Sequence, residues 1–496
     1  MICAVIPGPS SLEVQEQIDT AIQQGADLIE LRIDLFEEIS IFFLEKLLKN
    51  LPIASIFTLK GKNAGGNFLG SETEHLNSLR QLAELHPHFL DLDHKTPREF
   101  IIEISEKYPS IQLILSYHHF LEMPKDLKPM YDELSPYAVQ IYKFAFQAHS
   151  SLDALNLLQW AKNTDAKILV VSMGEKGQIS RILNPILNYH FTYASLADQL
   201  KTAAGQLTIN SLNELYAFKK LNKQTKIFGL IGSPVDQSFS DSTHNYYFQQ
   251  TNQNAVYVKI VILPEELAEF LKLAKTLNFQ GLSVTMPLKE AILAHLDFIE
   301  TKTKKIGACN TVVFKEGQTI GYNTDCIGAL NAIEHFVQVK EKKVVIIGAG
   351  GAAKAIAYEA CLRGAKVLIL NRDIDRAKSI AMQLNCDYGS LEKMKKCFEE
   401  GYDILINSTP LSSPIDPAHI LPNCIVMDIN TQATQTVFLN TVQEKNCQIV
   451  YGLEMFIRQA VEQFNLWFDN QIKQKECYRL IKSKLLERLK ESVDCK

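Results

Sequence analysis

The stretch 343-KVVIIGAGGAAKAIAYEACLRGAKVLILNR-372 has the pattern of a strand, a glycine-rich turn, a helix and a second strand. Gly348, Gly350 and Ala353 fit G-x-G-x-x-G/A, in which glycines permit a tight turn and let a pyrophosphate approach the helix N-terminus. Alone such a match is weak, but in this strand–helix–strand frame it predicts a Rossmann lobe that binds a dinucleotide. The residues expected at the cofactor are Gly348, Ala349, Gly350, Gly351 and Ala352.

The end of the second strand predicts which dinucleotide is bound. Asn371 and Arg372 stand where an NAD-specific site usually carries an acidic side chain. Arg372 and Arg376 suit the 2′-phosphate of NADP. Asp373 argues the other way, because its carboxylate would repel that phosphate or bind a ribose hydroxyl. We favour NADP(H), with NAD as the alternative.

The composition limits the classes of protein to which the chain can belong. Its 496 residues suggest about three domains, and 46% hydrophobic with 22% charged residues is ordinary for a globular protein. A net charge of −5 without basic runs argues against nucleic-acid and membrane partners. Ten cysteines without a CxxC pair argue for a reducing compartment and against a metal site. The N-terminus reads as a strand and a turn, so we expect a cytoplasmic, bacterial protein without a targeting segment.

Residues 1–222 alternate short apolar runs with amphipathic stretches. Eight such β-then-α units fit a closed parallel (β/α)₈ TIM barrel, and the alternative is an open doubly wound sheet, which usually has fewer strands. The predicted strands are ICAVI (2–6), LIELRI (28–33), IASIFTL (53–59), HFLDLD (88–93), IQLILSY (111–117), AVQIYKF (138–144), KILVVSM (167–173) and HFTYAS (190–195).

Polar side chains follow or end many of these strands. In a barrel the C-terminal ends of the strands meet at one mouth, so these side chains are expected to converge. Together they offer an amine, an imidazole and several cations, which is the set that imine chemistry on a carboxylated substrate requires. They are Glu30, Arg32, Asp34, Lys60, Asp93, His118, His119, Lys143 and Ser195. Two loops add further polar groups. Arg181 could donate two parallel hydrogen bonds to a carboxylate, and Thr202 and Gln206 could also form hydrogen bonds.

Lys143 lies in the apolar stretch 138-AVQIYKFAF-146. Taken alone, the stretch favours a lysine whose stem packs on apolar neighbours while its ammonium reaches water. The alternative is that desolvation lowers the amine pKa, giving a nucleophile. Its place on the sixth of eight strands, one strand after His118, reverses that preference.

A known family shares five segments of the first half: 30-ELRID-34, 116-SYHHF-120, 141-IYKFA-145, 173-MGEKGQISR-181 and 205-GQ-206. Together they resemble type I 3-dehydroquinate dehydratase over essentially all of residues 1–220. The resemblance implies a Schiff base on Lys143, an acid/base role for His118, and a substrate-carboxylate site at Arg181. It also implies substrate contacts for Glu30, Arg32, Lys60, Thr202 and Gln206.

The first half departs from that family at three positions. Lys60 stands in place of an arginine, and Asp93 matches a glutamate that orients the histidine. His119 replaces a residue that is often aspartate. The first two changes keep the charge but shorten or simplify the contact, so they bear on affinity and pH optimum.

The second half begins after the polar segment 219-KKLNKQTK-226, and several of its motifs belong to a second family. They resemble shikimate dehydrogenase over about residues 227–470, and imply Lys289 and Asp325 as the catalytic pair. Implied substrate contacts are Ser238, Ser240, Thr285, Asn310 and Gln459. The motifs are 233-SPVDQSFSDSTHN-245, 281-GLSVTMPLKE-290, 307-GACNTVV-313, 321-GYNTD-325 and 451-YGLEMFIRQAVEQF-464.

Each of these residues also has a structural interpretation: loop hydroxyls for the serines, a surface cation for Lys289 and a helix N-cap for Asp325. Their joint occurrence, in order, favours the catalytic one. Departures from that family are Gln237, Asp241, Ser283 and Thr431.

The sequence therefore predicts a two-step enzyme of the shikimate pathway. Residues 1–222 would dehydrate 3-dehydroquinate, and the second half would reduce 3-dehydroshikimate with NADPH. We expect residues 227–338 with 450–496 to form the shikimate-binding lobe and residues 339–449 to form the NADP-binding lobe. Alternatives are another Schiff-base enzyme such as an aldolase, an NAD-dependent quinate dehydrogenase, and a non-catalytic sensor on the same folds. The tail 471–491 has the spacing of an amphipathic helix, which leaves packing or self-association open.

Overall fold

The computed structural model describes residues 1–37, 40–137, 139–164, 168–187, 191–431 and 436–494. These residues divide into two compact units. The first unit is Met1–Lys226, with Asn252–Ile262 and Lys272–Leu277, and the second is Ile227–Thr251, Leu263–Leu271 and Asn278–Lys496. Among the described residues, no helix is both long and apolar enough to cross a membrane.

The first unit contains eight parallel strands that curl into a nearly closed barrel, which confirms the predicted fold. Its hydrogen-bonded order is β7-β6-β5-β4-β3-β2-β1-β8, so the last strand pairs with the first. The strands are β1 (Ile2–Ile6), β2 (Leu28–Arg32), β3 (Ala54–Thr58), β4 (Phe89–Asp93), β5 (Gln112–His119), β6 (Ile141–Gln147), β7 (Ile168–Met173) and β8 (Thr192–Ala194). The helices are α1 (Ser11–Gln23), α2 (Ile41–Asn50), α3 (Glu72–Glu84), α4 (Arg98–Lys107), α5 (Lys128–Leu134), α6 (Ser151–Lys162) and α7 (Gln178–Leu183).

Local sequence explains where several of these helices begin. Helices α1, α3 and α6 each start after a serine whose side chain accepts a hydrogen bond from the N–H three residues later. The acidic residue at that later position accepts in return from the serine N–H, which completes a capping box. Each box satisfies backbone donors that the first helical turn leaves open.

Strand β6 differs from its prediction in a way that matters for Lys143. The expected strand covered residues 138–144, whereas the observed one runs from Ile141 to Gln147, three residues later. Its apolar Phe144 and Phe146 pair with Val170 and Ser172 of β7, which carries the strand past its predicted end. Lys143 is therefore the third of seven strand residues. The first residues of three predicted strands, 138, 167 and 190, lie outside the described residues.

Two six-stranded sheets follow the barrel along the chain. One has the order β10-β9-β11-β13-β14-β12 and mixes parallel and antiparallel pairs. The other, β17-β16-β15-β18-β19-β20, is parallel throughout and has the 3-2-1-4-5-6 order of a Rossmann fold, as the glycine motif predicts. The strands are β9 (Lys226–Gly232), β10 (Ala255–Val261), β11 (Phe279–Val284), β12 (Phe298–Ile299), β13 (Thr311–Lys315), β14 (Gln318–Tyr322), β15 (Lys343–Ile347), β16 (Lys366–Leu370), β17 (Asp387–Gly389), β18 (Ile404–Asn407), β19 (Ile425–Asp428) and β20 (Gln448–Tyr451).

Helices connect and cover these sheets. They are α8 (Ser240–Gln250), α9 (Leu267–Thr276), α10 (Leu288–Ala291), α11 (Thr301–Ile306), α12 (Asp325–Ile333), α13 (Gly351–Leu362), α14 (Ile374–Leu384), α15 (Met394–Glu400), α16 (Val437–Glu444), α17 (Gly452–Trp467) and α18 (Gln474–Asp494). The tail forms α18, which packs on α8 and α17. Tyr478 and Lys482 of α18 both donate to Glu454 of α17, at 2.6 and 2.7 Å, so the tail helix is anchored within the second unit.

Candidate active sites

One layer inside the barrel carries charge instead of apolar bulk. It consists of Glu30 on β2, Asp91 on β4, Lys143 on β6 and Tyr193 on β8, so alternate strands contribute one side chain each. Such barrels normally fill a layer of this kind with branched apolar residues. The Lys143 Nζ lies 2.9 Å from Asp91 Oδ2, 3.7 Å from Glu30 Oε1 and 4.4 Å from the Tyr193 ring centroid. Because Lys143 is only 4% exposed, these contacts replace water around its amine.

The electrostatics of this layer correct the prediction that apolar flanks lower the pKa of Lys143. Burial does lower that pKa, but the carboxylates of Asp91 and Glu30 outweigh burial, and the net shift is upward. Asp91 is itself held by the Ser116 hydroxyl, which donates to its Oδ1 at 2.5 Å, and the Thr58 hydroxyl donates to Glu30 at 2.9 Å. The resting amine is therefore an ammonium paired with two carboxylates.

His118 lies beside this layer at the end of β5. Its Nε2 lies 2.7 Å from Lys60 Nζ, and its Nδ1 is buried with no hydrogen-bond partner among the described residues. Burial, followed by the charges of Lys60 and Lys143, holds the His118 pKa well below the usual value. Asp93 was predicted to orient this imidazole, but its described contacts are with His94 Nδ1 at 3.3 Å and the Lys95 N–H at 3.0 Å. Both partners belong to the turn after β4, so the predicted contact between Asp93 and His118 is not among the described contacts.

Arg181 contributes a second cation to the same cavity. It is 2% exposed in α7, its Nε has no hydrogen-bond partner among the described residues, and burial lowers its pKa to about 10. The Gln206 Oε1 accepts hydrogen bonds from the Thr202 N–H at 3.0 Å and from the Thr202 hydroxyl at 3.4 Å, which fixes the loop beside it.

The cavity has a volume of about 100 Å³, and its lining includes every predicted substrate contact of the first half together with both catalytic candidates. These residues are Glu30, Arg32, Lys60, His118, Lys143, Arg181, Thr202 and Gln206. Arg32 is paired with Asp34 at 2.8 Å, whereas neither Lys60 nor Arg181 has a carboxylate within ion-pair distance among the described residues. The cavity therefore presents unbalanced positive charge, which suits an anionic substrate.

The second site is centred on Lys289 and Asp325, the predicted catalytic pair. Asp325 is the first residue of α12 and Lys289 lies in α10, and their Nζ and Oδ2 atoms are 2.5 Å apart. The Asn310 amide donates to the other carboxylate oxygen of Asp325 at 2.8 Å and to the Thr324 hydroxyl at 2.9 Å. Asp325 is 5% exposed, so the pair is held in a largely desolvated, geometrically fixed relay.

A cavity of about 330 Å³ opens beside this pair. The Ser238 and Ser240 hydroxyls lie 2.8 Å apart, where both can face one carboxylate. Asn310 also approaches Gln459, at 3.3 Å between Nδ2 and Oε1. The lining brings together all the predicted substrate contacts of the second half, namely Ser238, Ser240, Thr285, Asn310 and Gln459.

Three of the four departures from the family pattern also line this cavity: Gln237, Ser283 and Thr431. The Ser283 hydroxyl donates to Gln463 Oε1 at 2.9 Å, which links β11 to α17. Asp241 lies in the first turn of α8 and is not among the lining residues. The segment 432–435 that follows Thr431 lies outside the described residues.

An adjoining cavity of about 550 Å³ has the lining expected of a dinucleotide site. Gly350, Gly351, Ala352 and Arg376 border it, as does Lys289. Helix α13 begins at Gly351 without a side-chain cap, so its first N–H groups remain available to a phosphate. A Cβ on Gly350 would meet nothing within 4 Å, which leaves room for close approach of a pyrophosphate.

The other predicted cofactor residues lie in the turns beside this cavity and do not line it. They are Gly348, whose φ is +114°, then Ala349, Asn371 and Arg372. The Asp373 carboxylate caps α14 by accepting from the N–H groups of Asp375 and Arg376. This use of Asp373 leaves Arg372 and Arg376 as the groups at the end of β16 that suit a 2′-phosphate.

The sequence interpretation missed Asp91, Tyr193 and Ser116. Asp91 lies in 88-HFLDLD-93 at the third position of its strand, the same position that Glu30 occupies in β2 and Lys143 in β6. Comparing equal positions on alternate strands would have found it. Ser116 gives no such signal, since its role depends on the register of β5 against β4.

Comparisons with known proteins find family matches along most of the chain. Residues 2–223 match the family described as type I 3-dehydroquinase, and residues 230–312 match the shikimate dehydrogenase substrate binding domain. Residues 331–436 match shikimate/quinate 5-dehydrogenase, and residues 452–482 match the shikimate 5′-dehydrogenase C-terminal domain.

Whole-length relatives carry the same combination. "Shikimate biosynthesis protein AroDE" of Chlamydia pneumoniae is 34% identical over 96% of this chain and 97% of its own length. The chloroplastic bifunctional 3-dehydroquinate dehydratase/shikimate dehydrogenase of Arabidopsis thaliana is 32% identical over 98% of this chain and 84% of its own. A crystal structure of shikimate dehydrogenase in complex with NADP⁺ is 35% identical, with a TM-score of 0.50, and covers 53% of this chain and 97% of its own. The chain belongs to the family of bifunctional shikimate-pathway proteins that join a type I 3-dehydroquinase to a shikimate dehydrogenase.

Proposed function

We propose that the chain catalyses two consecutive steps: dehydration of 3-dehydroquinate to 3-dehydroshikimate, then NADPH-dependent reduction of 3-dehydroshikimate to shikimate. The observation that carries the proposal is the pairing of Lys143 with Asp91 inside the barrel and of Lys289 with Asp325 in the second unit. Each pair joins an amine to a carboxylate in a cavity lined by anion-binding groups. The proposed domain division is 1–222 for dehydration, 227–338 with 450–496 for shikimate binding and 339–449 for NADP binding.

Dehydration begins with the resting Lys143 ammonium. Asp91, 2.9 Å from Nζ, is the nearest base, and we propose that it takes the proton that frees the amine. The amine attacks the substrate ketone, and loss of the carbonyl oxygen as water gives an imine on Lys143. The imine acidifies the neighbouring carbon, so His118 can remove its proton and then donate it to the departing hydroxyl. Hydrolysis releases the product and restores the amine.

The other residues of this cavity are proposed to hold the substrate. Arg181 is placed to bind the carboxylate, because its buried Nε donor has no hydrogen-bond partner among the described residues. The remaining proposed contacts come from Glu30, Arg32, Lys60, Thr202 and Gln206, which line the same cavity.

In the second unit, NADPH when bound supplies a hydride. Negative charge then develops on the substrate oxygen, and Lys289 with Asp325 provides the positioned proton that neutralises it. Ser238 and Ser240 are proposed to bind the substrate carboxylate, with Thr285, Asn310 and Gln459 as further contacts. Arg372 and Arg376 support NADPH over NADH, and the Asp373 oxygens that could bind a ribose hydroxyl accept instead from the first N–H groups of α14.

The decisive experiment is a coupled assay from 3-dehydroquinate and NADPH with Lys143→Ala, Lys289→Ala and Lys49→Ala. Lys143→Ala should abolish dehydration but leave reduction of added 3-dehydroshikimate intact, and Lys289→Ala should do the reverse. Lys49 is a surface residue whose side chain is 71% exposed, so Lys49→Ala should leave both steps unchanged. Dehydration by Lys143→Ala at the parent rate would rule out the imine.

Assays with other substrates and cofactors separate the alternatives. A quinate dehydrogenase would oxidise quinate with NAD faster than shikimate with NADP, and an aldolase would form its trapped imine with sugar phosphates. A sensor would bind these ligands without turnover.

The site of action is proposed to be the bacterial cytoplasm. Relatives from Chlamydia of matching length support a bacterial enzyme, and all nine described cysteines are free thiols.

A further inference from the structure

Lys60 makes a contact in the barrel that its expected role as a substrate ligand does not explain. Its Nζ lies 2.7 Å from Nε2 of His118, the proposed acid/base residue. The carboxylates nearby are engaged elsewhere: Asp34 with Arg32, and Asp91 with Lys143. The imidazole is therefore the direct hydrogen-bond partner of this ammonium among the described residues.

The charged groups around the pair come from several strands. Lys143 and Arg32 repel the Lys60 ammonium, and Asp91 and Glu30 attract it. His118 faces Lys60, Lys143, Arg32 and His94, all of which disfavour an imidazolium. Around neutral pH the pair thus holds its proton on Lys60, with a neutral imidazole beside it.

This arrangement fixes the tautomer of His118. An ammonium has donors only, so Nε2 must accept from Lys60 and the neutral ring carries its hydrogen on Nδ1. The lone pair that a general base needs is then the one already occupied by Lys60.

We propose, on the basis of the dehydratase function above, that Lys60 is a positioning residue whose ammonium caps Nε2 of His118 in the empty site and releases it when an anionic substrate draws the ammonium away. After release, the proton on the substrate carbon moves to Nε2, and the C–H electron pair shifts into the imine. The Nε2 proton later leaves with the substrate hydroxyl as water, while the C–O bond breaks. Lys60 keeps its own proton throughout, so the step balances without another reactant.

Burial is the largest influence that lowers the Lys60 pKa, to about 8. The cap should therefore weaken as pH rises through about 8, because a neutral amine no longer donates a charged hydrogen bond. Arginine at this position would stay charged and methionine would never cap, so Lys60→Arg and Lys60→Met form a matched pair.

The first test is carbethoxylation of histidines by diethylpyrocarbonate in the ligand-free full-length protein, mapped by peptide mass spectrometry. His335, an exposed residue of the second unit, serves as the internal reference. At neutral pH His118 should react at least about tenfold faster in Lys60→Met than in the parent, as expected for loss of a hydrogen bond to a charged donor. The parent rate should climb through about pH 8, and Lys60→Arg should not show that rise.

Equal His118 reactivity in parent and Lys60→Met, with no rise in the parent through pH 8, would overturn the cap. This readout needs no turnover, so it stays informative if the parent fails to dehydrate 3-dehydroquinate and the proposed function falls. A parent-like chemical denaturation curve of the same preparations reports that the barrel of each variant is folded.

The second test is the pH profile of kcat/KM for dehydration. The acidic limb should keep its place in Lys60→Arg, which stays charged, and should move to higher pH in Lys60→Met, because His118 loses a like-charged neighbour. A residue that only held the substrate would raise KM in Lys60→Met and leave the acidic limb in place, and that result would refute the proposal.

Discussion

Asp91→Asn should convert Lys143 from a charged to a largely neutral amine at mildly alkaline pH. The substitution keeps the shape of the side chain and removes the carboxylate 2.9 Å from Nζ, leaving Glu30 at 3.7 Å as the remaining counter-charge. Burial is the largest single influence on this amine and lowers its pKa. Without Asp91 the balance should reverse, and the pKa of Lys143 should fall.

The size of the change follows from the geometry. Two unit charges 2.9 Å apart interact by about 6 kcal/mol at an effective dielectric constant of about 20, which is an upper limit because the protein relaxes. Removing one partner of a buried pair typically costs about 3–5 kcal/mol. At about 1.4 kcal/mol per pKa unit, this corresponds to a fall of about 2–4 units.

Competitive acetylation with peptide mass spectrometry measures the neutral fraction of a single lysine as a function of pH. The Lys143 midpoint should move to lower pH by about 2–4 units in Asp91→Asn. Asp34→Asn is the matched control, because it removes another buried carboxylate of the first unit that pairs with Arg32. An unchanged midpoint in Asp91→Asn, or an equal shift in Asp34→Asn, would refute the electrostatic explanation.

The same pair should contribute to stability with a defined pH dependence. Because folding raises the Lys143 pKa, the contribution is fully present below the ordinary lysine pKa and is lost as pH rises through the raised value. Chemical denaturation at neutral pH should therefore show Asp91→Asn to be less stable than the parent by up to about 3–5 kcal/mol.

Three further substitutions test the second unit. Gly350→Ala should leave the urea midpoint of unfolding unchanged, because the new Cβ would meet nothing within 4 Å. The same substitution should weaken NADPH binding, measured by calorimetry, at least about tenfold, because the Cβ would occupy the space through which the pyrophosphate approaches. Parent-like affinity would contradict that approach. Gly281→Ala should lower the free energy of unfolding by about 1–3 kcal/mol, because the new Cβ would lie 2.2 Å from the Trp467 Nε1. A parent-like denaturation curve would contradict this close packing of Gly281 against Trp467. Asn310→Ala removes the amide that donates to Asp325, so kcat for reduction should fall by about tenfold or more. Dehydration should be unaffected. A change confined to KM would indicate that Asn310 contacts only the substrate.

Much of the architecture could be predicted because it depends on local patterns. Alternating apolar runs and capping serines mark the barrel units, and G-x-G-x-x-A marks the parallel sheet whose observed order is that of a Rossmann fold. Lys143 could be placed near His118 because parallel strands bring equal ends together, and the structure pairs the residues of β5 and β6 accordingly.

The charge state of Lys143 could not be predicted in the same way. It depends on Asp91 and Glu30, which are 52 and 113 residues away in the chain and reach the amine only when the sheet curls. The sequence around Lys143 is apolar, so it suggested the opposite shift. Asp373 is a different case: an aspartate directly before a helix is a common N-cap, and that local rule would have predicted where its carboxylate is engaged.

The charged layer of alternate strands also sets a limit on how the barrel can be improved. Replacing a buried ionic cluster by apolar groups of similar volume is often neutral or stabilising. A laboratory selection for heat tolerance alone would therefore be expected to enrich apolar substitutions at Glu30, Asp91 and Lys143, and each would remove a reacting or counter-charged group. At these three positions a gain in thermal stability would therefore cost catalytic activity. Ancestral or consensus redesign should keep the three residues unchanged and introduce stabilising substitutions in the outer helices instead.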